Sequence, residues 1–245
     1  MSASRPCEPW KFWASTAWAG AALLAWVVAQ FVIAGILLVS IGLPESTVLR
    51  GPEEQSLFVL LVAIGSAPAP IAVIALAVRL ARCRFADYLA FVWPRRGDFL
   101  VGLACVVVLL PLGDLASYLS GRDVVPPFVV EAYKNAAEAG TLVLLGLAFI
   151  VAAPLMEEVI FRGFLLPGYF ASRVGAANGI ALASAAWAAM HVQYEFFFIV
   201  QIFILGLVFG WLRWRSGSTL LTLILHAMIN LSALVQTAII VNWMS

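Results

Sequence analysis

The 245-residue chain is 64% hydrophobic and only 11% charged, with a mean hydropathy of +1.03. A soluble domain carries about 25% charged residues, so this composition excludes a water-soluble fold and makes lipid the solvent for most of the surface. The net charge of +1 excludes the basic field that nucleic-acid recognition needs.

A membrane-crossing helix takes about 20 apolar residues. Seven stretches qualify in chain order: 13–43, 56–81, 98–119, 140–166, 178–193, 196–213 and 218–243. The expected fold class is all-α, a polytopic transmembrane helical bundle of about seven spans. The first apolar run, Phe12 to Leu43, far exceeds the ~7–15 residues of a signal-peptide core, and reads as a retained span. Pro44-Glu45 should end it, Trp93-Pro94 should precede the third span, and Gly217 should precede the seventh. The fifth breaks at Gln193, Tyr194 and Glu195, which makes the boundary between spans five and six the least defined. Loop 120–139 has room for a short interfacial helix, and its Pro126-Pro127 pair argues against a span there. Cys7, Cys83 and Cys105 show no metal-binding spacing and read as free thiols.

Lys and Arg in short loops mark the cytoplasmic side. Arg79, Arg82, Arg84, Arg95 and Arg96 cluster between spans two and three. Alternation then places Arg5, Lys11, Arg162, Arg173, Arg213 and Arg215 on the same side. The opposite loops carry Glu45, Glu53, Glu54, Asp123, Glu131 and Glu138. The expected topology has the N-terminus inside and the C-terminus outside, in a prokaryotic cytoplasmic (inner) membrane.

Ionisable groups inside spans are costly and mark functional sites by default. Both histidines, His191 and His226, fall in expected spans, as do the adjacent carboxylates Glu157 and Glu158. Counted at 1.5 Å per residue from the basic face, Glu157, His191, His226 and Asn230 all lie about 12–18 Å deep. His226 and Asn230 share a helix face, and so do Glu158 and Arg162. Glu158 is therefore expected to be neutralised by Arg162, leaving Glu157, about 100° around the helix, to face the histidines. Singly, each group has an ordinary role as a helix bridge or ion pair. At one depth, on three helices, they point to a shared intramembrane polar site. Gln30 and Gln201 read as helix-bridging residues, and Asp114 as reaching the outer interface. The aromatic run Tyr194, Phe196, Phe197 and Phe198 reads as an interfacial belt.

These residues fall into an ordered trio of motifs. Glu157-Glu158-Val159-Ile160-Phe161-Arg162-Gly163 has the form E-E-x-x-x-R-G. Trp187 to His191 places an aromatic residue ahead of a histidine, and His226 to Asn230 has the form H-x-x-x-N. The trio resembles that of the CPBP family of intramembrane proteases, which includes the type II CAAX prenyl endopeptidases and the Abi bacteriocin-immunity proteins. Trp187 departs from the Phe that the family often has there. The resemblance covers roughly Gly140 to Val241, and divides the chain into N-terminal helices and loops at 1–139 and a catalytic core at 140–245.

The resemblance implies an intramembrane endopeptidase acting on membrane-associated peptide or lipid-modified protein substrates, prenylated CAAX-type proteins being those of one branch of the family. Glu157 would activate water with the help of His191, His226 and Asn230 would steady the water or the oxyanion, and Glu158 and Arg162 would support them. Amide hydrolysis needs a base for water and donors aimed at the developing oxyanion, and these residue types supply both. A divalent metal such as zinc, held by Glu157, His191 and His226, would serve equally well. The residues leave the glutamate-dependent and metal-dependent routes open, and no cofactor is assigned. A non-catalytic membrane immunity or scaffold protein and a proton-coupled transporter are the competing classes. The sequence lacks the inverted repeat many transporters carry, as well as H-E-x-x-H and G-x-S-x-G motifs.

Overall fold

The computed structural model describes residues 7–41 and 52–243, and among these the chain is helical without strands. The elements are α1 (Phe12–Ile41), α2 (Pro52–Ser66), α3 (Pro68–Leu80), α4 (Phe85–Tyr88), α5 (Arg96–Leu119), α6 (Pro127–Glu138), α7 (Leu142–Gly146), α8 (Ala153–Glu158), α9 (Leu166–Phe170), α10 (Gly175–Ala189), α11 (Phe196–Ser216) and α12 (Thr219–Trp243). Two π-helical segments, Leu147–Ala152 and Val159–Leu165, join α7 to α8 and α8 to α9. Residues 142–170 therefore run as one long helix with two wide turns. The expected stop at Pro44-Glu45 lies outside the described residues.

Six helical stretches among the described residues are long and apolar enough to cross a bilayer: Phe12–Ser40, Gln55–Leu80, Arg96–Leu119, Leu142–Phe170, Phe196–Ser216 and Thr219–Trp243. The expectation of about seven is close, and the difference lies in the fifth. At 15 residues, α10 reaches only about 22 Å, short of the ~30 Å hydrocarbon core. It ends at Ala189 because the polar run from His191 to Glu195 turns back into α11. The second span is broken at Ala67, where Pro68 and Pro70 remove backbone donors and divide it into α2 and α3. Loop 120–139 does contain a short helix, α6. Pro127 opens it at a position whose N–H has no intrahelical partner in any case.

Close packing is concentrated in the C-terminal half. Gly206 and Gly210, one turn apart on α11, let α10 approach closely. A Cβ at Gly206 would come within 2.9 Å of the Ser184 Cβ, and one at Gly210 within 2.7 Å of the Ile180 side chain. Small residues spaced in this way give membrane helices their dispersion contact, since lipid offers no hydrophobic drive. The main core joins Ile74 and Ala77 of α3 to Met156, Ile160, Phe161 and Phe164 of the long helix and to Trp187 of α10.

The basic loops gather at one end of the bundle. The Trp10 indole donates to the Ala77 carbonyl, Arg215 pairs with Asp98 at 3.2 Å, and Thr219 N–H donates to the Ala90 carbonyl. Arg162 is the exception to that grouping, being buried inside the long helix. Cys7 and Cys83 are also found at this end, joined by a disulfide with a Cα–Cα distance of 5.3 Å, while Cys105 is free. The reading of three free thiols is corrected for this pair. Their 76-residue separation carries no pairing signal, and only the folding of the N-terminal segment onto the α3–α4 turn brings them together.

The other expected polar contacts are mixed. Gln201 bridges α11 to α5 by donating to the Gly113 carbonyl and the Ser117 hydroxyl, both at 3.3 Å. Asp114 accepts from Gln236 of α12 at 2.9 Å, so it serves as a helix bridge rather than as an interfacial anchor.

Candidate active site

The carboxylates sit on α8, between the two π segments. A π turn carries one extra residue, rotates the side chains that follow it, and loosens the regular backbone ladder. Two neighbouring helices reach the carbonyls of these wide turns. Asn230 on α12 donates to the Phe149 carbonyl at 2.7 Å. Arg213 on α11 donates through Nε to the Arg162 carbonyl at 3.2 Å and to the Thr219 hydroxyl at 2.9 Å. Thr219 in turn donates to the Leu89 carbonyl. The unusual backbone around the carboxylates is thereby held from two sides.

Glu158 is fully buried, and its Oε1 accepts from Arg162 Nη1 at 3.0 Å and from His226 Nδ1 at 3.1 Å. The Arg162 guanidinium lies 4.2 Å from the Trp187 ring centroid and 5.3 Å from that of Phe209. Aromatic faces thus share the charge that burial would otherwise leave costly. Glu158 Oε2 and Arg162 Nη2 are buried with no hydrogen-bond partner among the described residues.

Glu157 points elsewhere. Its Oε2 accepts from the Trp187 indole N–H at 2.5 Å and lies 3.9 Å from His226 Nε2. Glu158 pairs with Arg162 as expected, but it also takes the bond from His226, which stands between the two carboxylates, and Glu157 faces Trp187 and His226 rather than both histidines. Because His226 Nδ1 faces a carboxylate paired with arginine, that nitrogen carries the proton, and Nε2 offers its lone pair toward Glu157.

His191 and Asn230 stand at the edge of this cluster. His191 lies in the turn just after α10 rather than within a span. Its Nδ1 sits 2.9 Å from the Trp187 carbonyl, an acceptor, so this ring also keeps its proton on Nδ1 and leaves Nε2 open. Its ring meets Trp187 edge-on at 5.4 Å, and Trp187 meets His226 in the same way at 5.5 Å. Asn230 is one turn from His226, with one amide N–H committed to Phe149. Among the described residues, no three His, Cys, Asp or Glu side chains are grouped to hold a metal ion. The arrangement of Glu157, His191 and His226 does not fit a three-ligand zinc centre, and no step below passes through one.

Residues 139–232 match the family model of the Type II CAAX prenyl endopeptidase Rce1-like proteins. The matched segment is similar to the Rce1-like proteins and makes up under half of the chain. It contains Glu157, Glu158, Arg162, Trp187, His191, His226 and Asn230, and leaves α1–α6 outside. A protein of Escherichia coli named Uncharacterized 24.3 kDa protein is 29% identical over 132 residues, which is 51% of this chain. The chain covers 60% of that relative's length. No solved structure matches.

Within the matched segment, two residues outside the expected site take part in it. Trp187 looked like a substitute for Phe, yet its indole N–H is the direct partner of Glu157. The signal was available, since Trp adds a donor that Phe lacks. Arg213 was read as a topology marker, yet it is buried and anchors the Arg162 carbonyl. Nothing in its spacing announces that contact.

Proposed function

We propose that this chain is an intramembrane endopeptidase that hydrolyses a peptide bond of membrane-associated, CAAX-type prenylated substrates with water activated by Glu157. The observation that carries the reading is the pairing of Glu157 Oε2 with His226 Nε2 across 3.9 Å. That gap is too long for a direct hydrogen bond and of the size that one water bridges. The Rce1-like match over the same residues supports a hydrolase. Residues 140–245 form the catalytic core in this proposal, with residues 1–139 as the supporting helices.

The chemistry follows from the groups. A water donating to Glu157 and His226 loses a proton to the Glu157 carboxylate. Its oxygen bonds to the substrate carbonyl carbon, and the C=O π pair moves to the oxygen as an oxyanion. Collapse re-forms the C=O bond and breaks the C–N bond. The leaving nitrogen takes the proton from Glu157, giving a carboxylic acid and an amine. His226 is held in one tautomer by Glu158, which is itself paired with Arg162. His191 Nε2 is available to assist Glu157 in proton transfer, and the second amide N–H of Asn230 is available to the water or the oxyanion. The proposed topology keeps the basic end in the cytoplasm, so substrate arrives from that leaflet of a prokaryotic inner membrane.

The test is cleavage of a fluorogenic prenylated peptide by the chain in proteoliposomes. Glu157→Gln keeps an acceptor for Trp187 but removes the base, and turnover should fall by roughly 10²–10⁴-fold in a protein that still elutes as a folded species. Wild-type turnover in that variant overturns the reading.

A further inference from the structure

The site is short of free donors. His226 spends its ring N–H on Glu158, His191 spends its own on the Trp187 carbonyl, and Trp187 spends the indole N–H on Glu157. Asn230 has given one of its two amide hydrogens to the Phe149 carbonyl. An oxyanion in a low-dielectric site calls for more than the single amide hydrogen that remains.

Tyr194 occupies the turn between α10 and α11, outside every candidate span. Its backbone N–H donates to the His191 carbonyl at 3.0 Å, which folds the turn so that the phenol ring packs on the imidazole at 5.8 Å. Phe128 of α6 meets the ring edge-on at 5.5 Å. The ring is thus held between a site histidine and a helix outside the Rce1-like region. The residue is half-buried, and its hydroxyl makes no hydrogen bond among the described residues.

We infer that Tyr194 is a further catalytic residue, whose hydroxyl donates a hydrogen bond to the oxyanion formed beside Glu157 and His191. The inference rests on the proteolytic reading above and adds a residue to that site. No proton is transferred in this role. The hydrogen bond strengthens as the carbonyl π pair moves onto oxygen and weakens as the C=O bond re-forms. The phenol is suited to it because burial, and then the nearby negative charge of Glu157, push its pKa up to about 12. Tyr194 therefore remains a neutral donor at any working pH, and it lies close enough to Glu157 to feel that charge.

Tyr194→Phe tests this directly, since it keeps the ring and its packing on His191 and Phe128 and removes only the hydroxyl. In the same proteoliposome assay, kcat should fall by roughly 10²-fold with KM nearly unchanged. Replacing Tyr194 with 3-fluorotyrosine, a stronger donor of nearly the same shape, should restore turnover. Full kcat in Tyr194→Phe, alongside an inactive Glu157→Gln, would sink the inference and leave the protease standing. A rise in KM at constant kcat would also sink it, by making Tyr194 a substrate contact. Failure of the wild-type chain to cleave would remove both.

Discussion

Phe12–Ser40 and Leu142–Phe170 are both 29 residues long and apolar enough to cross a bilayer. Only 6% of the most apolar window of the first is buried inside the protein, against 39% of the second. The first presents Leu24, Phe31 and Val39 outward and has regular helical geometry throughout. The second carries two carboxylates and an arginine, with two π segments around them. Hydrophobicity fixes that a helix crosses the membrane, and packing fixes what it does there. In lipid an apolar side chain gains little by moving from tails to protein, so α1 has little reason to be specific. The long central helix has every reason, because each charged side chain on it needs a partner, within the helix or from a neighbour.

That contrast can be broken first where charge is buried. Arg162→Met leaves Glu158 fully buried with His226 alone for company, and removing one partner of a buried pair costs about 3–5 kcal/mol. The loss should appear as a lower midpoint in detergent-micelle unfolding by SDS. Adding Glu158→Leu to Arg162→Met should recover most of that stability, because a pair of apolar residues replaces a pair of charges. Recovery of fold would not bring back cleavage, since His226 would have lost the acceptor that fixes its tautomer. A double variant as unstable as the single one would show that Glu158 is not the source of the cost.

Arg213→Met is expected to cost less. It removes the donor to the Arg162 carbonyl and to the Thr219 hydroxyl while keeping an unbranched side chain. Leaving a buried carbonyl unpaired costs about 1–3 kcal/mol. The same SDS titration checks it, and a change below about 0.5 kcal/mol, the scatter of ordinary surface substitutions, would mean that the π turn does not need this anchor.

What the sequence makes legible depends on the range of the interaction. The long helices, the short helix α6 and the Glu158–Arg162 pair are local. Hydropathy, a proline pair and a shared helix face sufficed to anticipate them. The depth argument brought Glu157 and His226 together because each helix could be measured from the same basic end. It placed His191 within a span, whereas α10 stops at Ala189 and His191 opens the turn. The π segments were not legible, because no residue type marks them. The roles of Arg213 and Tyr194 depend on those turns and on the docking of α6, and so were hidden too. The Cys7–Cys83 bridge failed for the same reason, since it follows from tertiary folding of the N-terminal segment. It also stands at the basic end assigned to the cytoplasm, a compartment that keeps thiols reduced. Charge asymmetry and cysteine pairing therefore pull the topology in opposite directions, and charge carries more weight because it sums over nine separate basic residues in the loops and helix ends, Lys11, Arg79, Arg82, Arg84, Arg95, Arg96, Arg173, Arg213 and Arg215.

The smallest effect belongs on α1. Phe31 is 75% exposed within the protein and faces lipid in the bilayer. Phe31→Leu exchanges one apolar group in hydrocarbon for another, with no cavity, donor or charge involved. Its effect on the SDS midpoint should stay within about 0.5 kcal/mol, with cleavage unchanged. A larger loss would mean that α1 packs on something besides lipid at that position, a second copy of the chain being the simplest case. Cross-linking of a Phe31→Cys variant across such a contact would then be expected, and the division between a lipid-facing first helix and a densely packed central one would have to be drawn around the assembly rather than the single chain.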